Sequence, residues 1–287
     1  DDTAWMTPSD RELFERARAL VPRLAQTEAE TAVAREVLPQ NVRLMREAGI
    51  LGILQPRRFG GYQGATRLFS RIVEELANGC ASTAWIYAVF GEHNWVIASF
   101  PEQAQIDVWG TSHEAVASSS LVPRAAARRV PGGYRLTGRY PFSSGCGHAQ
   151  WVIVGAFCGD EDNRRHQRYM LIPIGECGQL DDWKVLGLEG TGSRSILLDD
   201  VLIPEHRTVT YQDLMAGTPP GVDVHPDWPM MRAPRGMFAP FSQPPVVITL
   251  ARRILAHVTG MLRTKISRAV RKVADSEITQ FKLAESA

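Results

Sequence analysis

The apolar residues of this chain change period twice, and that ordering limits the folds open to it more than any single motif does. Up to about residue 113 they recur at the three- and four-residue spacing of a helix face. From about 114 to 212 they alternate or run continuously, as strands do, and beyond about 245 the helical spacing returns. Helices, then strands, then helices predict an α+β protein rather than a βαβ repeat. The expected division is an N-terminal α-helical domain over 1–113, a central antiparallel β-domain over 114–212, and a linker with an incomplete C-terminal helical bundle over 213–287.

In the first unit, Ser9-Asp10-Arg11-Glu12 has capping-box spacing, and Leu13, Ala17, Leu20 and Leu24 follow on one face. Val33, Val37 and Val42 to Met45 predict a second helix ending at Gly49. Leu68, Phe69, Ile72, Val73 and Leu76 predict a third, ending at Asn78-Gly79. A fourth begins near Ser82 and carries Trp85, Ala88, Val89 and His93, and Pro101 opens a short fifth. The clearest strand is 134–142, with Tyr134, Leu136, Tyr140 and Phe142 on one face and Arg135, Thr137 and Arg139 on the other. Further strands are expected over 151–157, 169–172 and 195–201, close enough together for an antiparallel sheet or barrel.

Residues 213–245 are rich in proline, glycine and methionine and read as a long connection. Helical spacing resumes over 246–272 with Val247, Leu250, Ile254, Val258 and Leu262, and 278–287 reads as the start of another helix. One or two helices cannot bury their own apolar stripes, so this unit needs a partner chain or further residues.

A formal net charge of +1 gives no global field for nucleic acid or an anionic membrane. Cys80, Cys146, Cys158 and Cys177 form no CxxC pair, which predicts reduced thiols in the cytoplasm. The first residues lack a basic, then apolar, leader, and no apolar run approaches the roughly 18 residues that span a bilayer. Gly187-Leu188-Glu189-Gly190-Thr191-Gly192 looks like a dinucleotide fingerprint but sits among strands, so a Rossmann site is not expected. His93, His113, His148, His166, His206, His225 and His257 form no pair at metal-ligand spacing. His166 falls in Arg164-Arg165-His166-Gln167-Arg168, a hairpin loop, and His206 at a strand exit. His93 stands on a mostly apolar helix, where an imidazole is either satisfied structurally or set to a task. Ser118-Ser119-Ser120 and Ser143-Ser144 either satisfy backbone groups at strand ends or, with Trp85, line a pocket for a planar polar ring.

Several stretches taken together resemble one known family. They are Cys80-Ala81-Ser82-Thr83-Ala84-Trp85, Trp109-Gly110, the run from Tyr134 to Cys146 with Thr137-Gly138 and Phe142-Ser143-Ser144-Gly145, His148-Ala149-Gln150-Trp151, Gly187 to Ser193, and Asp199-Asp200-Val201 with Ile203-Pro204. The chain resembles, in this order, the oxygenase components of two-component flavin-dependent monooxygenases of the acyl-CoA-dehydrogenase-like superfamily. That family includes the oxygenases of 4-hydroxyphenylacetate 3-hydroxylase and steroid-phenol hydroxylase.

The resemblance implies a reduced flavin, FMNH2 or FADH2, supplied by a separate NAD(P)H:flavin reductase. It also implies dioxygen, reacting through a C4a-hydroperoxyflavin, an aromatic substrate of the phenol class, and a homotetramer. Carried over residue by residue, it makes Trp85, Ser120, Leu121, Ser143 and Ser144 flavin-binding, with Ser143 or Ser144 at ring N5. His93, Ser143 and Ser119 become catalytic, facing substrate and oxygen. It implies as well that the helical bundle runs past the point matching Ala287 and supplies a second histidine. The alternatives are an acyl-CoA dehydrogenase, which needs a carboxylate base, and a flavin-binding homologue without catalysis.

Overall fold

The computed structural model describes residues 3–158, 166–266 and 272–286. Helix α1 (Pro8–Gln26) starts at a capping box made by Thr7 and Asp10, two residues before the expected one, because the Thr7 side chain accepts from the Asp10 backbone while the Asp10 carboxylate accepts from Thr7. Leu13, Ala17, Leu20 and Leu24 are buried as their spacing predicts. The expected second helix is instead two, α2 (Glu28–Ala34) and α3 (Pro39–Glu47), divided where Arg35 turns left-handed at φ 54° and Pro39 restarts the helix. Val33 then faces solvent at 85% exposure. Helix α4 (Thr66–Gly79) follows, and α5 (Ala81–Ala98) is buried on nearly every side, a central helix around which the others pack. Gly91 permits the closest approach, since a Cβ there would lie 2.5 Å from Phe69 Cε2. Helix α6 (Glu102–Trp109) begins after Pro101.

The strands form two four-stranded sheets. One has the order β1 (Ala117–Ser120), β4 (Trp151–Phe157), β5 (Gln167–Pro173), β8 (Thr208–Thr210). The other runs β2 (Arg128–Val130), β3 (Gly133–Ser143), β7 (Arg194–Pro204), β6 (Gly178–Leu180). Pairing is antiparallel as expected except between β1 and β4, which run parallel. Strand β4 is buried on both faces: Val152, Val154 and Ala156 meet Tyr134, Leu136, Tyr140 and Ile196 between the sheets, while Trp151 and Ile153 join the helical core. The first residues of the expected hairpin loop, Arg164-Arg165, lie outside the described residues.

Strand β3 departs from the expected alternation at its end. Its pairing with β7 shifts register between Tyr140 and Ser143, and Phe142 adopts φ 66°. Phe142 is therefore 64% exposed instead of sharing the buried face of Tyr134, Leu136 and Tyr140. Gly145, at φ 72°, closes the turn, and a Cβ there would meet Phe90 Cζ at 2.8 Å.

The expected loop over 213–245 carries α7 (Tyr211–Ala216), α8 (Gly221–Val224) and α9 (Arg235–Phe238). Trp228, Met231 and Phe238 on this stretch are buried, and Phe238 stacks on Trp95 at 4.9 Å between centroids. Its apolar residues are anchors without a period, which is why they read as loop. Helix α10 (Pro244–Thr264) packs along α4, where Arg253 pairs with Glu28 at 2.7 Å and donates to the Ala77 carbonyl at 2.9 Å. Val247 and Ile254, on the predicted apolar stripe, are 55% and 61% exposed, and Val246 and Thr249 are buried in their place. By length and composition α10 is apolar enough to cross a membrane, with mean hydropathy 1.3, contrary to the expectation that no segment qualifies. Helix α11 (Glu277–Ser286) follows as predicted.

Candidate active site

Helix α5 turns Trp85, Val89, Glu92 and His93 to one side, the helical spacing that puts them in one row. They border a cavity of about 240 Å3 closed by Ser119 and Leu121 at the end of β1, Phe142 and Ser144 at the bulge after β3, and Arg235 and Gln243 from the connection. Depressions of about 250 Å3 beside Arg46 and His113, and of about 520 Å3 beside Arg168 and Glu205, are at least as large. Neither gathers an indole, an imidazole and a hydroxyl.

His93 is buried, and its Nδ1 lies 2.6 Å from the Ala117 carbonyl oxygen. A carbonyl only accepts, so Nδ1 carries the proton and Nε2 presents a lone pair. Desolvation, the largest influence, lowers the imidazole pKa; Glu92 and the Ala117 carbonyl oppose this, and Arg235 adds to it. The ring is neutral at pH 7 and fit to accept a proton.

The serines divide by strand geometry. Ser118 and Ser120 share one face of β1 and Ser119 the other. Ser143 is fully buried and donates to Ser118 at 2.9 Å, and Ser120 donates to the Pro141 carbonyl at 2.7 Å, so neither borders the cavity. Ser119 and Leu121 do. The bulge brings Ser144 in where a regular strand would turn it away, and its Oγ accepts from the Trp85 indole at 3.2 Å and bonds Ser193 Oγ at 2.7 Å. Of the site residues expected from sequence, the structure gathers Trp85, His93, Ser119, Leu121 and Ser144, and leaves Ser120 and Ser143 behind the strand.

Glu92, Arg235 and Gln243 complete the lining, and sequence reading passed over them. Glu92 forms a buried ion pair with Arg235, and Gln243 donates to its other oxygen at 3.3 Å. The helical row from Trp85 to His93 contained the signal for Glu92. Arg235 comes from an aperiodic segment and had none. Its Nε is buried and has no hydrogen-bond partner among the described residues, a donor that a bound acceptor would satisfy.

Two buried imidazoles make stability pH-dependent. His225, bonded through Nε2 to Gln105 at 2.7 Å, is pushed down to about 4, chiefly by desolvation. His93 is shifted the same way. Between the folded pKa and about 6.5 the unfolded chain binds more protons, so stability is full above about 6.5 and declines as pH falls toward 4. Unfolding free energies from urea titrations at pH 7 and pH 5 are expected to differ by up to about 2 kcal/mol from His225 alone; equal values contradict it.

Residues 7–112 match the N-terminal domain family of acyl-CoA dehydrogenases. The chain is 33% identical to the oxygenase subunit HsaA of a flavin-dependent monooxygenase from Rhodococcus jostii (strain RHA1), over 95% of this chain and 72% of that one. It is also 33% identical to the oxygenase component of an FADH(2)-dependent resorcinol hydroxylase from Rhizobium sp. (strain MTP-10005), over 90% of this chain and 64% of that one. The crystal structure of 3-HSA hydroxylase from Rhodococcus sp. RHA1 superposes with a TM-score of 0.88 at 31% identity, covering 99% of this chain and 72% of that one. The chain thus spans about two thirds to three quarters of these relatives' length. On identity, fold and the order of its helices and sheets, it belongs to the oxygenase components of flavin-dependent monooxygenases built on the acyl-CoA dehydrogenase scaffold.

Proposed function

We propose that this chain is the oxygenase half of a two-component hydroxylase that uses FADH2 and dioxygen to add a hydroxyl group to an aromatic substrate of the phenol class. The observation that carries the reading is the meeting, in one cavity, of a neutral imidazole with a free Nε2, an indole face and a hydroxyl. A flavin ring suits this lining. Ser144 would meet its N5, Trp85 would border the ring, and the unpartnered Arg235 Nε calls for an acceptor such as the ring carries. When bound, the reduced flavin supplies the electrons that activate dioxygen. His93 takes the phenol proton at Nε2, which raises electron density on the aromatic ring, and Ser119 orients the phenol oxygen. The apolar walls from Val89, Leu121 and Phe142 keep water from the reacting atoms.

FADH2 is preferred over FMNH2 because a relative carries FADH(2) in its name. A separate NAD(P)H:flavin reductase is favoured because the relatives are named as oxygenase subunits or components. The exposed stripe on α10 supports assembly into a homotetramer, and the free thiols support a cytoplasmic setting. An acyl-CoA dehydrogenase would need an unengaged carboxylate here, and Glu92 is held by Arg235 and Gln243. Anaerobically reduced FADH2, the protein and resorcinol, mixed with aerated buffer, are expected to give hydroxylated product in proportion to the protein. Peroxide equal to that from free flavin, with no product, refutes the activity.

A further inference from the structure

Ser144 ends a line of hydroxyl groups that runs back into the protein. The Thr191 hydroxyl donates to the Leu188 carbonyl at 2.9 Å, Thr191 and Ser193 hydroxyls are 2.7 Å apart, and Ser193 and Ser144 hydroxyls are 2.7 Å apart. The Trp85 indole donates to Ser144 at 3.2 Å. Each hydroxyl has one hydrogen and two lone pairs, and a carbonyl has no hydrogen to give. The direction of every bond follows. Thr191 spends its hydrogen on Leu188, so Ser193 must donate to Thr191. With that hydrogen used, Ser144 must donate to Ser193. The indole occupies one Ser144 lone pair, and the cavity is left facing the other.

We propose that Thr191 and Ser193 are positioning residues that make Ser144 an acceptor toward the cavity, so that the site holds reduced flavin in preference to oxidised flavin. This rests on the reading that the cavity receives a flavin with Ser144 at N5. N5 of the reduced ring bears a hydrogen and donates; N5 of the oxidised ring bears a lone pair and accepts. An acceptor at Ser144 suits the first and leaves two lone pairs opposed in the second. Such a polarity lets oxidised flavin leave once the electrons are used, and lets the chain take up reduced flavin from a pool containing both.

Neither residue itself lines the cavity, so their effect is read through Ser144. In Thr191→Val, Ser193 loses its acceptor and turns to donate to Ser144, whose own hydrogen is then released toward the cavity. Ser193→Ala releases the same hydrogen by removing its acceptor directly. The full chain is titrated anaerobically with FAD and with FADH2, and the ratio of the two dissociation constants is taken. The native ratio is expected to favour FADH2 clearly. Thr191→Val and Ser193→Ala should each lower it about fivefold, the weight of one neutral hydrogen bond, mainly through tighter FAD binding. Thr191→Ser, which keeps the hydroxyl, should retain the native ratio. If FADH2 binds and Ser144→Ala weakens it, but both chain-breaking variants keep the native ratio, this inference is overturned and the flavin reading stands. If neither flavin binds the native chain, both are overturned.

Discussion

Replacing His93 by glutamine is expected to lower the hydroxylation rate at pH 7 about 10²–10⁴-fold, the usual weight of a positioned general base. Glutamine can still donate to the Ala117 carbonyl that now holds Nδ1, so the backbone of β1 keeps its partner while the proton acceptor is lost. Reduced-flavin affinity should change little, because the loss is of proton transfer and not of the ring's seat. The pH profile separates this role from a structural one. In the native protein the rate should fall once Nε2 is protonated, below 6.5, since burial lowers this imidazole's pKa. In the variant the rate should instead climb with pH toward about 10, where a phenol ionises unaided. A phenol made more acidic by a nitro group should need the histidine less. An unchanged rate at pH 7 sinks the assignment.

A part for His93 in the chemistry was implied only by the family resemblance, but its place as a lone imidazole on the apolar helix that carries Trp85 was legible in sequence because it is local. The arrangement of the serines was not. A period of two assigns Phe142 and Tyr140 to one face, and Pro141, with no N–H to give the ladder, warns of a bulge there but not of how the register with β7 shifts after Tyr140. That slip decides which serine reaches the cavity, for it leaves Ser143 in the core with Ser118 and sends Ser144 to Trp85 and Ser193. The helices of the first unit were legible where one amphipathic face persists, as in α1 and α4. The break between α2 and α3 was missed because the apolar spacing runs on through it: the left-handed Arg35 gives no warning by its type, whereas Pro39, which restarts the helix, does. The connection to α10 was least legible, since Trp228, Met231 and Phe238 act as separate plugs in a surface made by α5 and its neighbours. Their partners are long-range, and no local pattern records them.

The largest effect on stability is expected from dividing Glu92 and Arg235. Their side chains are 4% and 11% exposed, so each charge relies on the other in place of water. Removing one partner should cost about 3–5 kcal/mol, most of it the penalty of a buried charge left unpaired. Arg235→Met leaves the Glu92 carboxylate with only the Gln243 amide, at 3.3 Å, among its described side-chain bonds. Glu92→Met leaves a guanidinium whose Nε is already without a partner among the described residues. Removing both charges is a different experiment: Glu92→Met with Arg235→Met exchanges the pair for apolar side chains of similar bulk beside Val89. Its stability should return to the native value or exceed it by about 1–4 kcal/mol, because the cost of keeping two ions from water disappears with them. Urea denaturation of the four proteins at pH 7 gives the coupling directly, and additive single effects would mean that the pair is not the unit described. The double variant also separates architecture from site. Phe238 still stacks on Trp95, so α9 has an apolar hold on α5 that does not depend on the ion pair. A double variant that folds as well as native protein but binds flavin or phenol more weakly therefore reports what the Glu92–Arg235 pair contributes to the cavity, free of its contribution to the fold.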